Sequence, residues 1–200
     1  MGVRTLQKQA TRERVVRAAR ELFETTGYED TTIRMIADRA GVAVGSVFTT
    51  FDSKVDIFNH ILLDKSEALF AELQNIAAYL KGATRDRLAS LIAIAYGVEC
   101  RQLAIMVSHL AASHGWPAHI ERESAARQAR LTGLFRRILE HGVEAGEVRS
   151  DADLDLFCDV LTAVYLRNYR KAYYEKLDAS ALSALAERQL SVLFEGVRAA

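Results

Sequence analysis

Two hundred residues, 50% of them hydrophobic and 26% charged, are too apolar for a disordered chain and enough for one large domain or two small ones sharing a core. One proline and 11 glycines leave few places for the tight turns of a sheet, so the expected fold is all-α. The formal net charge is zero, 26 basic against 26 acidic residues, which excludes a uniformly basic nucleic-acid binder but not a local basic patch.

The first twenty residues hold such a patch: Arg4, Lys8, Arg12, Arg14, Arg17 and Arg20 face only Glu13. It reads either as a phosphate-binding arm or as the solvated face of a helix. Val15, Ala18, Ala19, Leu22 and Phe23 recur at three- and four-residue spacing, which predicts an amphipathic helix over about Lys8 to Thr25, ending near Gly27. Thr31 and Thr32 are set to cap a second helix striped by Ile33, Ile36, Ala37 and Ala40, and Gly41 supplies its left-handed end.

The next stretch, GVAVGSVFTTF (Gly41 to Phe51), is strand-like by propensity. Spacing argues otherwise. As a strand it mixes large apolar and small or polar residues on both faces. As a helix it gathers Val47, Phe48 and Phe51 inward and leaves Val44, Gly45, Ser46, Thr49 and Thr50 outside. A helix of about two turns after a short glycine-containing turn makes a helix-turn-helix over about 32–51.

From Ser53, an N-cap, Val55, Phe58, Ile61, Leu62, Leu69, Leu73, Ile76 and Leu80 form one stripe of a long helix before Gly82. Apolar-periodic segments follow at Arg85 to about Cys100 and Gln102 to Ser113. A Gly115-Trp116-Pro117 break and a charged helix from His119 to about Glu140 come next. The last two helices, about Asp153 to Glu175 and Ala179 to Arg198, are apolar most of the way round. That breadth suits a pair packing on its own domain and on a second subunit; a deep monomer core is the alternative.

The longest strongly apolar run, Leu91 to Val98, is shorter than the roughly 20 residues that cross a bilayer. With no signal-peptide core at the N-terminus, and Leu6 where myristoylation needs Ser or Thr, a cytoplasmic protein without a membrane partner is expected. Cys100 and Cys158 read as small buried hydrophobes. His109, His114 and His119 are spaced by five and fall on different faces, so no metal site is expected. No nucleophile elbow, phosphate-cradling loop or Cys-x-x-Cys appears, so neither an enzyme nor a cofactor is expected.

The ordered pattern Thr11-Arg12-Glu13-Arg14, Ala19 to Phe23, Gly27-Tyr28, Thr31-Thr32-Ile33, Ile36-Ala37, Ala40-Gly41-Val42, Gly45-Ser46-Val47-Phe48 and Phe51-Asp52-Ser53-Lys54 closely resembles the tetracycline-repressor (TetR) family of transcription factors. The remaining residues resemble it only in helix lengths and in the turn Gly146 to Arg149. The resemblance implies a homodimer with a DNA-binding domain at 1–52 and a larger effector-binding and dimer-forming domain at 53–200. It implies a regulator, most simply a repressor, released from a palindromic operator by a small molecule. Four positions depart from the family pattern: Val44 replaces a frequent basic residue, Ala43 an N-capping Ser, Phe48 a phosphate-binding Tyr, and Thr50 a Tyr or His. A protein-interaction module that has lost DNA binding is therefore the alternative.

By reach, Val44 and Thr49 suit thymine methyls, the hydroxyls of Ser46, Thr49 and Thr50 suit base edges or phosphates, and Arg34 has the fork for guanine. Arg34 reads equally well as a solvent-exposed structural residue. Lys54, Thr31 and Thr32 are candidates for phosphates, with Arg4, Lys8 and Arg12 adding salt-dependent contacts from a flexible arm. The implied effector site falls among the middle helices, where Tyr96, Cys100, Met106, His109, Trp116, Tyr165 and Tyr169 are candidates, each also an ordinary core or turn residue. Together they suit a small hydrophobic or aromatic molecule.

Overall fold

The computed structural model describes residues 3–112 and 115–197, with side chains described for 5–111 and 115–197. Arg4 and His114 therefore lie outside the described side chains. The architecture is all-α, in the order α1 (Val3–Thr25), α2 (Ile33–Ala40), α3 (Val44–Phe48), α4 (Lys54–Ala77), α5 (Thr84–Glu99), a 3₁₀ turn (Cys100–Gln102), α6 (Leu103–Ala112), α7 (Ala118–Glu144), α8 (Leu154–Glu175) and α9 (Ala179–Glu195).

Two compact units share these elements: residues 1–66 with 104–122, and residues 67–103 with 123–200. The packing division thus falls inside α4. The reason is that Ile57, Phe58, Ile61 and Leu62 of α4 are needed to close the core formed by Val15, Ala19 and Phe23 of α1, Ile36 and Ala37 of α2, Val47 and Phe51. Phe58 is its aromatic centre, 5.2 Å from the ring of Phe23 and 4.6 Å from that of Tyr28.

Local chemistry sets the ends of the short helices. The Thr32 hydroxyl accepts from the Met35 N–H at 3.2 Å, and Gly41, at φ 65, closes α2 with the Val42 N–H donating to Ala37 O. Ala43 starts α3 without a side-chain cap. The stretch from Gly41 is helical, as spacing predicts, but its regular part is five residues long. The Thr49 N–H and the Phe51 N–H extend it by bonding to Gly45 O and Val47 O. The Ser53 hydroxyl accepts from the Asp56 N–H at 3.2 Å and donates to the Asp56 carboxylate at 3.0 Å, capping α4.

The second unit is built on α5, α8 and α9. Leu88, Leu91, Ile92, Tyr96, Phe157, Leu161, Tyr165, Leu182, Leu190 and Phe194 are all buried. By length and composition alone Thr84–Ala111 is apolar enough to cross a bilayer, beyond the shorter run visible as uninterrupted apolar sequence. It carries Glu99 and Arg101 near its middle, and the α5 part is a core helix. Ala83 gives α5 no side-chain cap, and the Glu147 carboxylate takes that place by accepting from the Thr84 N–H at 2.5 Å. That bond holds the Glu147 pKa below its ordinary value. Gly142 is required beside it, since a Cβ there would lie 2.5 Å from Thr84 Oγ1.

Candidate nucleic-acid interface

In the first unit α2 and α3 are joined by the Gly41 turn, and α3 sits on the core through Val47, which is fully buried, and the following Phe51. Its other positions stand outward: Val44 is 39% exposed and Phe48 51% exposed. Spacing predicts Phe48 inside with Val47 and Phe51. It turns outward instead, because it stands one turn from the exposed Val44 and about 100° round the helix from the buried Val47. Ser46 is partly buried and Thr49 exposed. The hydroxyls of Thr49 and Thr50 both donate to the Ser46 carbonyl, at 2.8 and 3.1 Å, so their protons are committed within the turn.

The cations divide clearly. Arg34 is exposed on α2. Arg39 is held by Glu21, with Nε and Nη2 at 2.9 and 2.7 Å from one carboxylate oxygen. Lys54 departs from its expected role: its ammonium donates to the carbonyls of Tyr28, Glu29 and Thr31 at 2.7, 3.2 and 2.9 Å and lies 4.3 Å from the Tyr28 ring centroid. All three donors of an ammonium are thus used inside the head. Thr31 departs too. It is 1% exposed and its hydroxyl donates to Gly27 O at 2.6 Å, so it offers phosphate no side-chain contact, whereas Thr32 stays exposed as the cap of α2.

The basic segment is helical from Val3 onward instead of a flexible arm. Arg12 is part of the fold: its guanidinium lies 4.4 Å from the Phe51 ring centroid, donates to Thr50 O at 3.3 Å and meets His60 Nδ1 at 3.4 Å. Burial lowers the His60 pKa. Lys8 is exposed.

The seven candidates for an effector site are divided between the units. In the first unit His109 packs against Trp116, ring centroids 5.0 Å apart, and Met106 is partly buried. In the second unit Tyr96, Tyr165 and Tyr169 come together: Tyr96 stacks on Tyr165 at 5.0 Å and meets Tyr169 edge-on at 5.5 Å. Cys100 is partly buried, and burial raises its thiol pKa.

Residue patterning misses Glu99. Its carboxylate accepts from the hydroxyls of both Tyr165 and Tyr169, while Asn168 donates to the Tyr96 hydroxyl at 3.1 Å and exchanges hydrogen bonds with Gln189. Burial raises the Glu99 pKa against the lowering effect of the two tyrosine hydroxyls. A Glu at the last residue of an apolar helix is the only sequence signal it leaves. Between α7 and α8 an open groove of about 420 Å³ is lined by Ala125, Ala129, Thr132, Gly133, Arg136 and Cys158, among others. Burial lifts the Cys158 thiol pKa to about 11. Among the described residues no three His, Cys, Asp or Glu side chains gather as a metal site.

The family described as "Bacterial regulatory proteins, tetR family" matches residues 15–61, which hold the later part of α1, all of α2 and α3, and the start of α4. The chain is 30% identical over 203 residues to the HTH-type transcriptional repressor KstR2 of Rhodococcus jostii, spanning 96% of this chain and 94% of that protein. In fold it is similar to FadR of Bacillus subtilis, solved in complex with stearoyl-CoA (TM-score 0.76, 19% identity, 93% and 99% of the two chains covered). It is similar as well to the ketosteroid transcriptional regulator KstR2 of Mycobacterium tuberculosis (TM-score 0.65, 21% identity, 94% and 95% covered). With a helix-turn-helix placed to present α3, the chain belongs to the tetR family of bacterial regulatory proteins and is a DNA-binding transcriptional regulator.

Proposed function

We propose that this regulator is a cytoplasmic, ligand-released repressor. Residues 1–52 read a palindromic operator as a homodimer, and residues 53–200 carry the effector site and the dimer contact. The observation that carries the reading is the outward face of α3 on a buried apolar core, in a chain similar over nearly its whole length to a transcriptional repressor. Thr32, Arg34, Val44, Ser46, Thr49, Thr50 and the exposed Lys8 form the DNA surface. Thr31, Arg12 and Lys54 support it from behind.

For the dimer, the breadth of the last two helices resolves into two faces. Phe157, Leu161, Tyr165, Leu190 and Phe194 fill the chain's own core, while Leu156, Val160 and Val192 are exposed at 59, 38 and 69%. That outward set suits a two-fold contact, and a two-fold dimer calls for a two-fold operator.

The effector is a mainly apolar molecule with a polar end, engaged by Tyr96, Tyr165 and Tyr169 with Glu99 as the polar group among them. The stearoyl thioester bound by one fold relative and the ketosteroid regulation ascribed to another support an apolar effector. Binding acts by favouring a form whose two heads no longer meet successive major grooves, and about 5.5 kcal/mol of preference suffices for a near-complete switch.

A gel shift with duplex DNA flanking the protein's own gene tests the reading, followed by titration of a steroid and a long-chain acyl-CoA. A retarded band that one of these releases is expected. A folded dimer that retards no flanking duplex would instead favour the interaction-module reading.

A further inference from the structure

Resting on the assignment of α2 and α3 as the DNA-binding head, we propose that α3 reads its operator chiefly through the C5-methyl groups of thymine, with Phe48 and Val44 as the specificity-determining residues.

The observations converge on chemistry. No residue from Val44 to Phe51 is charged. The two side chains that stand out from α3, Val44 and Phe48, are apolar and four residues apart, so they share one face. Around Gly45 an added Cβ would meet nothing within 4 Å, so the helix has a low wall beside that face, open to close approach. Two of the three hydroxyl protons that the stretch could aim at base acceptors are withdrawn, since Thr49 and Thr50 both spend theirs on Ser46 O, which leaves the partly buried Ser46 hydroxyl beside the apolar pair. Three cations of the head are withdrawn as well: Arg12 on Thr50 O and the Phe51 ring, Arg39 on Glu21, Lys54 on three carbonyls.

In the major groove the C5-methyl of thymine is the one apolar mark on a base edge; the rest of the code is donors and acceptors. Protruding side chains such as Val44 and Phe48, with no donor or acceptor to offer, gain sequence discrimination there by covering methyl groups and by desolvating wrong bases without compensation. Arg34 lies on α2, outside this face, and its fork remains available for guanine.

The test uses the full-length protein and a duplex it selects from a random-sequence pool. That duplex is resynthesised with deoxyuridine replacing thymidine one position at a time, which removes only the methyl. Removing a covered methyl should weaken binding about fourfold at each contacted thymine. At a sensitive position, 5-methylcytosine should bind better than cytosine. Phe48→Ala and Val44→Ala, folded by circular dichroism, should each lose the thymidine-to-deoxyuridine ratio at their own position.

Tight binding that ignores deoxyuridine everywhere would overturn methyl reading and leave the DNA-binding assignment standing. An equal deoxyuridine effect in wild type and both variants would assign it to DNA shape and overturn the roles of Phe48 and Val44. Failure to enrich any sequence would instead remove the reading head itself.

Discussion

The ammonium of Lys54 stands 2.7 Å from the carbonyl oxygen of Tyr28 and 4.3 Å from the centroid of the same residue's ring. With its bonds to Glu29 O and Thr31 O it ties the start of α4 to the loop that launches α2. Lys54 is therefore a clamp that sets where the reading head begins. Lys54→Ala should lower stability by about 1.5 to 3 kcal/mol, the usual range for hydrogen bonds to a charged group, with a reduced urea midpoint. The salt dependence of DNA binding should stay nearly unchanged, because no counterion is released where no phosphate is met. An unchanged midpoint with a shallower salt slope would return Lys54 to the phosphate.

Arg34 is exposed on α2 while Arg39, five residues later, is neutralised by Glu21. Arg34→Ala should cost roughly 1 to 3 kcal/mol against an operator with the preferred guanine and much less against one without it. Competition anisotropy with the two duplexes measures the difference. A uniform loss on both would make Arg34 a phosphate contact.

On α8, Val160 is 38% exposed and its neighbour Leu161 is 2% exposed. Val160→Glu and Val192→Glu should yield folded monomers by light scattering, because an apolar two-fold contact cannot hold unpaired carboxylates cheaply. Leu161→Glu should instead unfold the second unit, at a cost of several kcal/mol for a carboxylate inside its core. Dimers that survive both surface substitutions would place the subunit contact elsewhere.

Glu99 gives the second unit a pH dependence. Its pKa is raised above the ordinary 4.5 by burial, so as pH rises past that value the folded state keeps more of the proton than the unfolded state does. The stability tied to that proton is complete below the unfolded pKa and is lost as pH rises through the folded one, about 1.4 kcal/mol for each pH unit that separates the two. His60, whose pKa burial depresses, acts with the opposite sign. The difference between wild type and Glu99→Gln therefore isolates Glu99: the wild-type urea midpoint should fall relative to the variant as pH rises above the ordinary carboxylate range. Parallel profiles would show that Glu99 is ionised throughout.

Periodicity alone made the helices legible. Val15, Ala19 and Phe23 for α1, and Phe58, Ile61, Leu62 and Leu73 for α4, repeat at helical spacing, and burial of an apolar stripe is what such spacing encodes. It also decided the strand-like stretch after Gly41, because only a helix gives that segment one buried side. The cap at Thr32 and the left-handed end at Gly41 were readable for the same reason: local hydrogen bonds and local φ preference need no partner distant in sequence.

What distant residues do was decided by the tertiary structure. Whether Lys54 and Arg12 meet phosphate or the chain's own carbonyls depends on the loop at residues 28–31 and on the end of α3, 23 and 38 residues away in sequence. Phe48 and Val47 are adjacent and both apolar, yet one is half exposed and the other buried, because successive helical positions point about 100° apart and only Val47 points into the core. Glu99 meets Tyr165 and Tyr169 only where α5 packs against α8. A side chain's type limits the bonds it can make, but which of them it makes is set by whatever long-range packing brings within about 3 Å.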